Sequence, residues 1–191
     1  MRIEITDYRS TDLAMYARIP ISLEVNRVLG VVPLQGGLGG FAFSERQLDQ
    51  SFVKDYDAIE SPLKWPESFD MTNWAFFIAY SNGVPVGGAT VAFDTSELVM
   101  LESRRDLAVL WDIRVSPNKR RRGVGTKLFQ AAEEWAKTKG CRQLKVETQN
   151  VNVPACRFYS KQGCLLGAVH RFAYPEFPDE VQLLWYKDLV L

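Results

Sequence analysis

The stretch 107–139 constrains the fold more than any other part of the chain. It begins with LAVLWDIRV, whose first five residues are apolar and would suit a strand buried on both faces. A basic turn follows, then Gly123 and Gly125, and then a helical stripe of apolar residues from about Thr126. A strand, a short turn and a helix in this order predict a mixed α/β domain.

The turn that precedes this helix has features of an anion site. A helix N-terminus carries unpaired backbone N–H groups and a partial positive charge. Gly123 and Gly125 would let a ligand approach the backbone, and the arginines at 120–122 could add charge-assisted hydrogen bonds. The spacing matches neither a Walker loop nor a Rossmann turn. A solvated basic turn, a nucleic-acid patch and a phosphate loop all remain compatible with these residues alone.

Composition narrows these alternatives. The 191 residues contain 23 Lys plus Arg and 23 Asp plus Glu, so no wide basic surface for a nucleic acid is expected. Three cysteines without C-x-x-C spacing and one histidine predict buried thiols and no metal site. The longest apolar run, 74–80, is too short to span a bilayer. We therefore expect a single cytoplasmic domain over residues 1–191, with neither nucleic-acid nor membrane partners.

Hydrophobic periodicity and turn residues predict the element order β-α-α-β-β-β-α-β-α-β-β. The first helix is predicted within 12–19 and the second over 45–56, after a glycine-rich loop at 30–42. Asn82 and Gly83 predict a tight hairpin turn between two strands.

A second motif lies one strand beyond the central helix. It has the spacing N-x-x-A-x-x-F-Y-x-x-x-G, and the first motif has R-x-x-G-x-G after I-x-V-x-P. With these motifs in this order, the chain resembles the GNAT family of acetyl-CoA-dependent N-acetyltransferases. The residues that carry the resemblance are Ile113, Val115, Pro117, Arg120, Gly123, Gly125, Asn152, Ala155, Phe158, Tyr159 and Gly163.

The resemblance implies a fold and a coenzyme site. The fold would be a central, mostly antiparallel twisted sheet of about seven strands flanked by about four helices, with acetyl-CoA as cosubstrate between the fourth and fifth strands. A backbone N–H at or near Val115 would polarise the thioester carbonyl. The residues implied in coenzyme binding, within a core at 107–165, are Ile113, Arg114, Val115, Arg120, Arg121, Arg122, Gly123, Val124, Gly125, Thr126, Asn152, Ala155, Phe158 and Tyr159.

Three residues are candidates for the chemistry. Tyr159 matches the family tyrosine that donates a proton to the coenzyme A thiolate, and the alternative is an aromatic packed in the core beside Phe158. Glu147 and Asp112 interrupt apolar strands and are candidates for the base that deprotonates the amine. The alternative for each carboxylate is an ion pair with an arginine or lysine.

The acceptor is expected to contact mainly residues 10–72 and 172–182. Acidic side chains are concentrated there, which suits a cationic amine, although a solvated acidic surface is the alternative. Within the family the chain looks most like streptothricin-type acetyltransferases, which implies acetylation of a primary amine of a small molecule and a role in antibiotic resistance. Acetylation of a protein N-terminus and a non-catalytic coenzyme A sensor remain as alternatives, and a homodimer is left open.

Overall fold

The computed structural model describes residues 2–7 and 11–190. Its strands are β1 Arg2–Asp7, β2 Leu23–Pro33, β3 Phe41–Lys54, β4 Ala75–Ser81, β5 Val84–Ala92, β6 Leu107–Val115, β7 Gln143–Gln149, β8 Leu165–His170 and β9 Gln182–Asp188. Its α-helices are α1 Leu13–Ala17, α2 Tyr56–Ile59, α3 Trp65–Ser68, α4 Val124–Thr138 and α5 Val153–Lys161.

A seven-stranded sheet has the order β1-β4-β5-β6-β7-β9-β8, and β2 and β3 form a separate two-stranded sheet. β6 and β7, the fourth and fifth strands of the predicted order, run parallel over Leu107–Leu110 and Gln143–Val146. The described registers of β1 with β4, β4 with β5, β5 with β6 and β8 with β9 are antiparallel. The predicted mixed α/β fold with a mostly antiparallel sheet is confirmed.

The chain divides into two compact units, which are described separately below. Unit 1 comprises Met1–Ser22, Asp55–Val146 and Lys187–Leu191, and unit 2 comprises Leu23–Lys54 and Glu147–Tyr186.

The core of unit 1 is built around aromatic side chains. Tyr16, Trp65, Trp74 and Phe76 are at most 3% exposed, and the Tyr16 ring meets the Trp65 and Phe76 rings edge-on at 6.0 and 5.7 Å between centroids. Tyr16 lies directly over β5, because a Cβ added to Gly88 would come within 2.5 Å of its ring. A glycine at this position therefore brings α1 close to the sheet.

β6 contains a bulge that the sequence did not reveal. Thr90 pairs with Asp112 and Val91 with Leu110, so Trp111 is an extra residue in β6. Bulges re-aim the side chains that follow them. Here Trp111 packs against Trp74 and Asp112 hydrogen-bonds Tyr16, so two consecutive residues face the same aromatic core.

Unit 2 contradicts one prediction. The helix expected over 45–56 is wrong, because residues 41–54 form β3, which pairs antiparallel with β2. The side chains of β3 are almost all exposed, so the strand lacks the continuous buried stripe of a helix that packs on a core. The backbone hydrogen bonds of the hairpin determine the structure instead. The glycine-rich turn is correspondingly confined to the residues between β2 and β3.

The remaining helices follow the sequence more closely. α1 lies inside the predicted range, with Asp12 as its N-cap, since the Asp12 carboxylate accepts a hydrogen bond from Met15 N at 3.0 Å. α4 begins at Val124, two residues before the predicted start. Across the described residues, no helix has the length and apolar character that a membrane span requires.

Candidate active site

The loop between β6 and α4 contains two residues whose backbone conformations also occur in anion-binding loops. Arg121 and Gly123 adopt left-handed conformations, with φ of 58° and 79°. A left-handed residue in a loop can turn neighbouring backbone N–H groups toward the same side of the chain, and this is the arrangement of an anion-binding nest. A Cβ added to Gly123 would meet no protein atom within 4 Å, so the space above this residue is open. The loop that the motif predicted is therefore formed, and it precedes the N-terminus of a 15-residue helix.

Arg120 stabilises this loop through its own side chain. Its Nε donates to the Val115 carbonyl at 3.0 Å and its Nη2 to the Ser22 carbonyl at 2.7 Å. Burial lowers the pKa of Arg120, although an arginine remains charged at neutral pH. The side chains of Arg121 and Arg122, in contrast, are exposed. The motif arginine thus fixes the end of β6, and the next two arginines are the ones available to an anion.

Asp112 lies in a buried ion pair. Arg114 donates from Nε and Nη2 to the two oxygens of Asp112, each at 2.8 Å, and the Tyr16 hydroxyl donates to Asp112 Oδ1 at 2.6 Å. The side chains of Arg114 and Asp112 are 1% and 7% exposed. Arg114 also reaches Asp57 at 3.1 Å. This is the ion pair that the sequence left as the alternative for Asp112.

The same contacts occupy the side chain of Arg114, one of the residues expected in coenzyme binding. Its guanidinium points into unit 1 and donates to the Ile19 carbonyl at 3.0 Å. A buried guanidinium requires carboxylate and carbonyl partners, and this cluster provides them. Only the backbone of Arg114, together with that of Ile113 and Val115, is left for a ligand at the end of β6.

Glu147 of unit 2 lies in a polar cluster. Its Oε1 accepts hydrogen bonds from the Tyr174 hydroxyl at 2.5 Å and from Gln149 Nε2 at 3.4 Å. Its Oε2 accepts a hydrogen bond from Gln182 Nε2 at 2.7 Å. All four side chains are half-buried. Glu147 is therefore a carboxylate held by hydroxyl and amide donors, and no arginine or lysine is among these partners.

Sequence reasoning did not single out Tyr174 or Gln182. Both fall within the predicted acceptor range 172–182, but nothing in their spacing connects them with Glu147. A signal existed only for Gln149, which is two residues from Glu147 and therefore on the same face of β7. Tyr174 and Gln182 lie 27 and 35 residues from Glu147 along the chain, so no local pattern connects them with it.

α5 carries the second motif. Asn152 is its N-cap, with Oδ1 accepting from Ala155 N at 3.1 Å, and a proline lies in the first turn. The rings of Phe158 and Tyr159 meet edge-on at 5.5 Å between centroids. Tyr159 is 4% exposed, whereas Phe158 is half-buried. The helix thus holds Tyr159 in a fixed, largely dry position.

The acidic residues of the expected acceptor elements are partly engaged elsewhere. Asp57 pairs with Arg114 in unit 1, and Glu180 pairs with Lys54 in unit 2. These two carboxylates balance protein cations, so the acidic surface offered to an acceptor is smaller than the composition suggests.

The cysteines behave as small buried side chains. All three are buried, and none of the three forms a disulfide. Burial raises the pKa of Cys141 to about 11 and that of Cys156 to about 12, so both thiols stay protonated at neutral pH. Within residues 2–7 and 11–190, no group of three or more His, Cys, Asp and Glu residues could hold a metal ion.

A strand, a glycine-containing loop and a helix N-terminus in this order can accommodate a phosphate-bearing ligand. Residues 45–164 match the model of the acetyltransferase (GNAT) family. The chain belongs to the GNAT family and is an acyltransferase.

Two comparisons place it near one branch of that family, and a third shows the shared fold. The chain is 29% identical to streptothricin acetyltransferase A of Bacillus subtilis over 150 residues, which cover 78% of this chain and 80% of the relative. A structure described as a candidate streptothricin acetyltransferase of Bacillus anthracis, in complex with acetyl coenzyme A, is 25% identical, covers 100% of this chain and 99% of its own, and has a TM-score of 0.76. The crystal structure of nourseothricin acetyltransferase, 23% identical, has a TM-score of 0.77 over 99% of this chain and 98% of its own, which shows the shared fold.

Proposed function

We propose that the protein transfers the acetyl group of acetyl-CoA to a primary amine of a small, streptothricin-like molecule. The observation that carries the proposal is the half-buried Glu147 carboxylate with its hydroxyl and amide donors. It occurs in a chain similar to a streptothricin acetyltransferase over 78% of its length. A carboxylate of this kind suits an amine acceptor, because it can hold an ammonium group and accept its proton.

In this proposal, the loop after β6 binds the pyrophosphate of acetyl-CoA. The left-handed residues Arg121 and Gly123 and the open space above Gly123 support it. The first turn of α4 would add the backbone N–H groups of Val124, Gly125 and Thr126 to this site. Acetyl-CoA supplies the thioester, and the backbone near Val115 would stabilise the oxyanion that forms on its carbonyl.

The proton transfers are assigned to two residues. Glu147 accepts the proton of the amine, directly or through water, so that the neutral nitrogen attacks the thioester carbonyl in a ternary complex. The tetrahedral intermediate then expels the coenzyme A thiolate, and Tyr159 donates a proton to that sulfur. The second proton that the nitrogen loses on amide formation restores the Tyr159 hydroxyl through solvent. We assign the base to Glu147 because Asp112 is already paired with Arg114 and hydrogen-bonded to Tyr16.

The test is acetyl transfer to a panel of amines. The protein is incubated with acetyl-CoA and with streptothricin, an aminoglycoside, spermidine or a peptide with an N-terminal alanine, and free thiol is followed. We expect turnover with streptothricin, and Glu147→Gln should lower kcat on the order of 10²–10⁴-fold without weakening acetyl-CoA binding. Turnover with the peptide alone would favour a protein acceptor. Binding of acetyl-CoA without turnover on any amine would support a sensor.

Tyr159→Phe should separate chemistry from binding. The ring and its packing on Phe158 are retained, while the proton donor is lost. We expect kcat to fall on the order of 10²-fold and the Kd of acetyl-CoA to stay within about twofold. Steady-state kinetics and calorimetric titration measure the two quantities. A loss of affinity with kcat unchanged would instead assign Tyr159 to packing.

A further inference from the structure

We propose that Tyr174 and Gln182 are positioning residues that hold the Glu147 carboxylate in one orientation for the acceptor amine. This inference rests on the proposed function, because it concerns the base of the same reaction. It adds two residues that neither sequence motif contains, one from the segment between β8 and β9 and one from the first position of β9.

The two oxygens of the Glu147 carboxylate accept different numbers of hydrogen bonds. Oε1 receives the Tyr174 hydroxyl at 2.5 Å and Gln149 Nε2 at 3.4 Å, whereas Oε2 receives Gln182 Nε2 at 2.7 Å. An ionised carboxylate offers about four acceptor positions, two on each oxygen. Among the described contacts, both positions on Oε1 are used and one on Oε2. Oε2 is therefore the oxygen that we assign to the amine.

Tyr174 acts through Glu147 and is not itself the base. Burial and the negative charge of Glu147 raise the pKa of the Tyr174 hydroxyl well above its ordinary value. The phenol thus stays protonated at neutral pH and donates its hydrogen bond to Oε1. Gln149 Nε2 in turn donates to the Tyr174 oxygen at 3.1 Å, which fixes the direction of the phenol.

The segment that carries Tyr174 is anchored on the C-terminal side of this residue. Phe177 N donates to the Tyr174 carbonyl at 3.0 Å. Lys54 binds the Glu180 carboxylate and lies 4.6 Å from the centre of the Phe177 ring. These contacts hold the segment against the end of β3, so the hydroxyl of Tyr174 is placed before any substrate binds. Preorganisation of this kind is what a positioning residue requires.

The experiment compares Tyr174→Phe and Gln182→Leu with the wild-type enzyme, using streptothricin and acetyl-CoA. Each variant should lower kcat/KM for streptothricin on the order of 10-fold to 10²-fold, since a misplaced catalytic group loses up to about 10²-fold. The KM of acetyl-CoA and the thermal midpoint should be nearly unchanged. Tyr80→Phe is the matched control, because it removes a hydroxyl whose contact is the Met15 sulfur at 3.7 Å in unit 1, and its kinetics should match the wild type.

A double variant distinguishes positioning from an independent role. In the Glu147→Gln background, adding Tyr174→Phe should cause no further loss, because Tyr174 acts only through that carboxylate. The inference would be overturned if the losses in kcat/KM of the two substitutions multiplied in the double variant. Wild-type kinetics in both single variants, Tyr174→Phe and Gln182→Leu, would also overturn it. In either case the proposed acetyl transfer would be unaffected. A wild-type enzyme that binds acetyl-CoA but acetylates no amine would overturn the proposed function and this inference together.

Discussion

Gly123→Asp should abolish acetyl-CoA binding in a protein that stays folded. The new carboxylate would lie in the loop proposed to bind the pyrophosphate and would repel it. Aspartate tolerates a left-handed φ better than most residues, and no protein atom lies within 4 Å of the added Cβ at Gly123. We expect the Kd to rise by more than about 10²-fold, which corresponds to about 2.7 kcal/mol. Calorimetric titration with acetyl-CoA measures it.

Gly83→Asp is the matched control. Gly83 has a φ of 76°, close to the 79° of Gly123, and it too has no protein atom within 4 Å of an added Cβ. It lies in the hairpin turn between β4 and β5. Both variants should lose similar, small amounts of stability, but only Gly123→Asp should lose the coenzyme. Equal affinity in the two variants would contradict the phosphate assignment.

Arg114→Met should destabilise the protein by about 3–5 kcal/mol, the range for removing one partner of a buried ion pair. Methionine roughly preserves the length of the side chain, but it leaves the 7% exposed Asp112 carboxylate without its cation. Adding Asp112→Asn should recover part of the loss, because a neutral amide is easier to bury than an unpaired carboxylate. Urea denaturation measures these free energies of unfolding.

The control for this prediction is Arg104→Met. Arg104 also binds carboxylates, with Nε at 2.9 Å from Asp106 and Nη1 at 3.9 Å from Glu102, but its side chain is 34% exposed. Solvent-screened pairs of this kind contribute at most about 1 kcal/mol. If both variants lost the same free energy of unfolding, burial of the Arg114 cluster would not be what stabilises it.

The parts of the fold with strong local signals could be predicted from the sequence. β6 has the predicted bounds, and α4 starts within two residues of its prediction, because an apolar strand, positive-φ glycine and amphipathic stripe are all local features. β3 could not be predicted in the same way. Its side chains face solvent, so its conformation depends on pairing with β2, which the local sequence does not encode.

The same distinction applies to the site. Gly123 and Asn152 could be placed at the starts of α4 and α5, because their motifs are fixed by short spacings. The contact of Glu147 with Tyr174 and the burial of Arg114 depend on tertiary structure: Arg114 meets Ile19 across 95 positions of sequence. A strand carboxylate has the same local sequence whether it faces an arginine or a substrate. For that reason the sequence left both Asp112 and Glu147 as candidates, with a slight preference for Glu147.

The bulge at Trp111 also affects how the length of β6 can vary. Val109, Trp111 and Asp112 all belong to the face that meets the aromatic core, and Arg114 follows on it. In a regular strand without the extra residue, Val109, Asp112 and Arg114 would still alternate onto that face. One residue can therefore be lost at this point without exchanging the two faces of the strand. A deletion of Ile113, beyond the bulge, would instead make Asp112 and Arg114 adjacent and turn them to opposite faces, so the bulge is where this strand can lose a residue.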